Sequence, residues 1–266
     1  MKVFDAHVHI FPDKIAAKAA ANIGKFYDLP MLYDGAVSTL IDLYKKAGVD
    51  KCLVQSVATT PLQVRSINDF ISDSVKAHSD FLVGFCSLHP LMSKAEIEAE
   101  IDRAISLGLK GIKLHPDFQE FKIDDREAYK IYEIAERRLP ILFHTGDFRY
   151  QWSSPKGLAN VLKDFPKLVA IGAHFGGWSQ WEDGVKYLAD LENVYVDTSS
   201  SLYTLTPNQA KNYIHAFTAD RVMFGTDYPM WSIEDELRNM EKIDITDGER
   251  EKIMYGNACK LLNIDI

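Results

Sequence analysis

Short apolar runs alternating with helix-like segments constrain this chain more than any other feature. Eight such runs occur in order: KVFDAHVHI, KCLVQSV, FLVGFCSLH, GIKLH, PILFHTG, VAIGAHFG, VYVDTSS and VMFGTD. Val, Ile, Leu and Phe dominate them, and stretches of helical spacing separate them. In Ser93 to Leu107 the residues Ile97, Ile101, Ala104 and Ile105 recur at helical intervals. Ser93 with Glu96 makes a capping box there, and Gly108 ends the helix. Asp124 to Arg138 reads as a second such helix. Near-continuously apolar strands joined by helices belong to a parallel sheet covered by helices. Eight β/α units in 266 residues predict an α/β fold of the (β/α)8 TIM-barrel type, ahead of an open doubly wound sheet. One domain, 1–266, is expected.

One connection is long. Between the first run and a helix opening near Ser38 lies an Ala/Lys-rich helical piece, then an aromatic loop containing Pro and Gly. Loops of that length inside compact domains usually wall a pocket. The closing stretch EREKIMYGNACKLLNI predicts a C-terminal helix packed on the barrel's end or side.

The formal charge of −8 argues against a nucleic-acid partner, and no Lys/Arg run with interleaved aromatics offsets it. No stretch approaches a membrane span, and Asp5, His7 and His9 interrupt the N-terminal apolar run at once, unlike a signal peptide. Cys52, Cys86 and Cys259 lack C-x-x-C spacing. That sparse count argues against a disulfide scaffold and fits a cytoplasmic protein, with Cys52 and Cys86 packed as small core residues.

In a barrel of this kind chemistry sits at the C-terminal strand ends. His7 and His9 end the first run, Lys113 and His115 the fourth, His144 the fifth, His174 the sixth and Asp227 the eighth. A polar group buried with unmet hydrogen bonds costs roughly several kcal/mol, so repeating it at strand after strand calls for something that compensates all of them. A divalent metal does so. His7 and His9 are two apart and share one strand face. With His144 and Asp227 they make a set of three imidazoles and a carboxylate. That set suits Zn2+ best, with Mn2+, Fe2+, Co2+ or Ni2+ as alternatives.

The strings DAHVHIFP, GIKLHP, ILFHTGD, AHFGGW and FGTDYP, in this order, resemble the amidohydrolase superfamily. The branch containing aminocarboxymuconate-semialdehyde decarboxylase and many metal-dependent hydrolases is the more specific likeness. The resemblance implies His7, His9, His144 and Asp227 as metal ligands, with Asp227 also a catalytic proton carrier. It implies His174 as the catalytic group beside the metal. Lys113 stands where two-metal relatives carry a bridging residue, so a second metal stays open; one tight metal is preferred, with Lys113 and His115 facing substrate or supporting the fold.

The expected activity is a hydrolase in which a metal-activated water attacks a small amide, ester or lactone. The alternative is a metal-dependent non-oxidative decarboxylase of a small unsaturated or aromatic acid, which should present a cationic clamp near the metal. Arg149 is the candidate clamp. Trp152, Trp178 and Tyr228 join it as substrate-binding candidates, with Tyr203, Trp181 and Trp231 as further wall aromatics. Asp5 reads as an orienter of a ligand or a satisfied core acid, and His89 as a packed residue. A small molecule is the expected partner, and the loop aromatics leave a homodimer open.

Overall fold

The computed structural model describes residues 1–264. Its strands, in chain order, are β1 (Phe4–His9), β2 (Lys51–Gln55), β3 (Leu82–Gly84), β4 (Cys86–Ser87), β5 (Ile112–Leu114), β6 (Ile141–Phe143), β7 (Ala170–Gly172), β8 (Val194–Asp197) and β9 (Val222–Met223). The third predicted strand is therefore split in two, with Phe85 between β3 and β4. Apolar residues dominate the buried strand positions, as the sequence pattern requires, with Asp5, His7 and Lys113 among the buried polar exceptions.

By internal contacts the chain divides into two compact units. The first comprises Met1–Gln55, Ser74–Val83 and the chain from Thr198 onward. Here β1 pairs in parallel with β2, in the registers Phe4↔Lys51, Asp5↔Cys52, Val8↔Val54 and His9↔Gln55. One extra β1 residue is accommodated between Asp5 and Val8. On its other side β1 meets the chain after β9, where Ala6 N–H donates to Phe224 O (2.8 Å) and Asp227 N–H to His7 O (2.9 Å). The long first connection folds as a helix, Ala16–Tyr27, and a loop. That loop is drawn onto β1 at Gly35, which has φ +80°; a Cβ there would lie 2.6 Å from the Phe11 ring. The C-terminal segment is helical through Asp247–Glu251, a π turn over Lys252–Gly256, and Asn257–Leu262. It packs against β1 and the chain around β9: Phe224 N–H reaches Ile253 O, and the Tyr255 ring meets Phe4 edge-on.

The second unit comprises Ser56–Asp73 and Gly84–Asp197. Strands β4, β5, β6, β7 and β8 follow one another in sequence order, all parallel. The first predicted helix is present as Lys94–Ser106, with Ser93 and Glu96 closing a reciprocal capping box. Gly108 follows it at φ +82°. The second is shorter than its sequence suggests, Arg126–Ala135, because Asp125 and not Asp124 caps it and Arg137 turns to φ +65°. Cys52, Cys86 and Cys259 are buried free thiols. Among the described residues no helix is long and apolar enough to cross a membrane.

Candidate metal centre and its surroundings

In the first unit the HxH spacing does what strand geometry demands. His7 and His9 put their Nε2 atoms 3.2 Å apart, and both face Asp227 Oδ1, at 3.5 and 3.4 Å. The three ligand atoms converge tightly enough to hold one ion. Asp227 sits in a left-handed backbone conformation (φ +68°), anchored by its N–H on His7 O.

The outward-facing atoms of His7 and Asp227 are already held. His7 Nδ1 lies 3.0 Å from Ser199 Oγ, so an ion on Nε2 leaves the proton on Nδ1, donating to the serine. Ser200 Oγ donates to Asp227 Oδ2 (2.6 Å) and accepts from the Trp231 indole N–H (2.8 Å). Trp231 in turn stacks on Tyr203, ring centroids 4.1 Å apart. The indole expected to wall a pocket thus spends its polar atom on orienting a carboxylate. Outer atoms secured and inner atoms convergent is the arrangement a metal site needs, and this donor set fits a divalent ion.

Asp5 is a core acid. It accepts from the His7 and Thr226 backbone N–H groups and from the Thr226 and Tyr44 hydroxyls. Burial pushes its carboxyl up to about 7, against the pull of those donors. It fixes the backbone under His7 and not an imidazole. Tyr228 is fully enclosed: its hydroxyl donates to Ala36 O (3.1 Å), and its ring stacks on Tyr33 and meets Tyr44 edge-on. Its observed work is to hold the long loop, not to face a substrate.

In the second unit His144 and His174 are joined, His174 Nε2 lying 3.0 Å from His144 Nδ1. The His174 N–H donates to Asp197 Oδ1 (3.0 Å), which steadies a residue at φ +61°. The His115 ring lies flat against His144, with centroids 4.0 Å apart, and against Phe118 on its own turn. Its Nδ1 accepts from Phe118 N–H, so His115 caps the Pro116–Gln119 turn. Asp117 Oδ2 is 3.5 Å from His144 Nε2. Burial lifts the Asp117 carboxyl to about 7. His115, Asp117 and His144 form a second group with ligand atoms in mutual reach.

Lys113 is fully buried on β5, in register with Leu142. Arg149 forks onto the buried Asp147, Nη2 at 2.7 Å and Nε at 2.9 Å, and lies over the Trp178 and Tyr150 rings. Its charge is already answered by a carboxylate. Trp152 stacks on Tyr150, and its carbonyl accepts from Ile123 N–H. Gly146 lets the loops after β6 and β7 touch: a Cβ there would fall 2.6 Å from Trp178 N. His89 is packed as read, with Nδ1 accepting from Leu91 N–H.

Several residues of the site carry little signal in the sequence. Ser199 and Ser200 lie in a run of three serines beginning two residues after β8, a cluster of small hydroxyls at a strand end that could have been flagged. Asp117, two residues beyond His115, carried a similar signal. Gln119 carried none; its amide donates to Ala58 O and Leu88 O and accepts from His115 N–H, tying three loops together. Gln55, the last residue of β2, is buried beside His9 in the β1–β2 register.

A family model described as Amidohydrolase matches residues 4–264. Over 230 residues the chain is 25% identical to Decarboxylase orsB of Emericella nidulans, covering 66% of this chain and 68% of that protein. Among solved structures, the uncharacterized TIM-barrel protein Bb4693 of Bordetella bronchiseptica superposes with a TM-score of 0.83. It is 22% identical, and the match covers 99% of both chains. A dihydroxybenzoic acid decarboxylase of Polaromonas sp. JS666, solved with manganese and the inhibitor 2-nitroresorcinol, matches at 0.74. It is 17% identical over 98% of this chain and 97% of that one. The fold is therefore the TIM barrel expected from the β/α alternation. The expectation of a hydrolase is overturned: these relatives with a named activity remove carbon dioxide from acids. The error has a physical cause, since a metal and its ligands serve either reaction and the sequence motifs report only the ligands.

Proposed function

The chain belongs to the amidohydrolase family, and from that premise we propose that it is a metal-dependent, non-oxidative decarboxylase of a small aromatic carboxylic acid. The observation that carries the proposal is the convergence of His7 Nε2, His9 Nε2 and Asp227 Oδ1, with the outer atoms of His7 and Asp227 held by Ser199 and Ser200. The resemblance adds His144 as a ligand and His174 as the group beside the metal. A bound divalent ion supplies positive charge that orients the acid and offsets negative charge as the carbon–carbon bond breaks.

The bonding electrons stay on the ring carbon as carbon dioxide departs, and that carbon must gain a proton. Asp227, protonated from water before the step and aimed by the Ser200 hydroxyl, delivers it and returns to the carboxylate, with His174 as second acid/base. Lys113, His115, Arg149, Trp152, Trp178 and Tyr228 are the substrate candidates that the sequence offers. Of these Lys113, Trp152 and Trp178 stay in the proposal; Arg149 would have to leave Asp147 to clamp an acid. The Polaromonas neighbour puts manganese beside zinc as the ion to test. The whole chain acts as one catalytic domain in the cytoplasm, and a homodimer is compatible with it.

The test is a panel of hydroxylated benzoic acids incubated with manganese- or zinc-loaded protein, monitored for carbon dioxide. Release that stops on chelation and returns on adding metal supports the proposal. No carbon dioxide from any aromatic acid, with metal bound at about one equivalent, overturns it.

A further inference from the structure

Gln55 is fully buried at the end of β2, and neither its Oε1 nor its Nε2 has a hydrogen-bond partner among the described residues. Its backbone is committed, the carbonyl accepting from Ile10 N–H at 3.1 Å. Leaving a buried amide group unmet is costly, and this side chain leaves both its groups unmet. The two residues before it, Leu53 and Val54, show what a purely structural position on this strand holds.

The position says what the amide is for. Gln55 pairs with His9 across the parallel β1–β2 ladder, and paired residues on adjacent strands project to the same side. His9 and His7 share that side by their spacing of two, so Gln55 stands next to the imidazole that faces Asp227. Gln119 is the internal control. It is equally a buried glutamine, and every polar atom of its side chain is spent on backbone groups.

We propose that Gln55 binds the substrate beside the metal centre and sets its specificity, Nε2–H donating to an oxygen of the aromatic acid and Oε1 accepting from a neighbouring hydroxyl. An ortho-hydroxylated aromatic acid presents that donor and acceptor side by side, which makes such acids the probes for the role of Gln55. This rests on the decarboxylase reading. A site built to hydrogen-bond a hydroxyl rejects the analogue that lacks it far more strongly than a hydrophobic pocket does, because the protein's own polar group is left unpaired.

The experiment compares wild-type and Gln55→Met metal-loaded protein on two substrates, 2-hydroxybenzoate bearing a further hydroxyl and its analogue lacking the ortho hydroxyl. Methionine has a similar length and no amide. The expected results are unchanged metal content and a Tm equal to or above wild type, because an unmet amide has been removed. The kcat/KM for the ortho-hydroxylated acid falls about 10- to 100-fold, mostly in KM, and discrimination against the analogue is lost. Retained discrimination overturns the role of Gln55, whatever happens to Tm. A variant that fails to fold also overturns it, since an apolar isostere is then not tolerated and the amide is structural. Wild-type protein that decarboxylates neither acid nor any other member of the panel sinks the proposed function instead, and with it the role assigned to Gln55.

Discussion

The end of β2 and the turn after β5 each bury a glutamine, and the two do opposite things. Gln119 closes three hydrogen bonds onto backbone atoms and holds loops in place. Gln55 closes none. The same contrast separates the edges of the metal cluster from its middle: Ser199, Ser200 and Trp231 complete their partners' valences, while the inner atoms of His7, His9 and Asp227 converge within reach of one ion. Polar groups that build the fold are satisfied within it. Groups that act on a ligand are left to be satisfied by the ligand, and the fold carries that cost.

The largest effect that tests this contrast lies in the cluster's middle. Asp227→Asn should lower decarboxylation by about 10³-fold or more and weaken metal retention, because a proton-carrying carboxylate ligand becomes a neutral amide. Activity within tenfold of wild type, read by carbon dioxide release, would put the reacting centre elsewhere. At the cluster's edge the expected loss is smaller. Ser200→Ala removes the donor to Asp227 Oδ2 and should cost about 10- to 100-fold in metal affinity, measured by chelator competition, with little change in Tm.

Gln119→Met sharpens the glutamine comparison directly. It leaves two carbonyls and one N–H unpaired in the interior, so stability should drop by about 3 kcal/mol, or roughly 6 °C in Tm. A fall no larger than that of Gln55→Met would erase the distinction between the two residues.

The smallest effect concerns a third buried polar group, Glu236. Burial raises its carboxyl from 4.5 to about 8, and Oε2 has no partner among the described residues. The folded state therefore holds a proton that the unfolded state has released between about pH 4.5 and pH 8, and stability falls as pH rises through that window. Glu236→Gln should flatten the decline of Tm with pH by about one proton's worth. Parallel curves for the two proteins would show that Glu236 is ionised in the fold.

Much of the scaffold was legible in the sequence. The β/α alternation, the Ser93–Glu96 box and the Gly108 stop are local signals, and they survive in the structure because short-range geometry decides them. The split of the third strand at Phe85 and the early end of the Arg126–Ala135 helix were not legible, since they depend on backbone angles that the hydrophobic pattern does not report. Tyr228 shows the same limit for side chains: an aromatic on a loop looks like a pocket wall until Ala36, Tyr33 and Tyr44 are seen to enclose it.

The sequence by itself determined that His7 and His9 share a strand face, because side chains alternate along any strand. It determined the order of the elements and the chemistry of the donor set. Only the tertiary structure decided which distant residues hold the outer atoms of that set. Ser199 reaches His7 across 192 positions of chain and Ser200 reaches Asp227 across 27, and no periodicity encodes such a meeting. The vacant hydrogen-bonding capacity of Gln55 is likewise a property of everything packed around it, which is why a residue unremarkable in the sequence stands out in the fold.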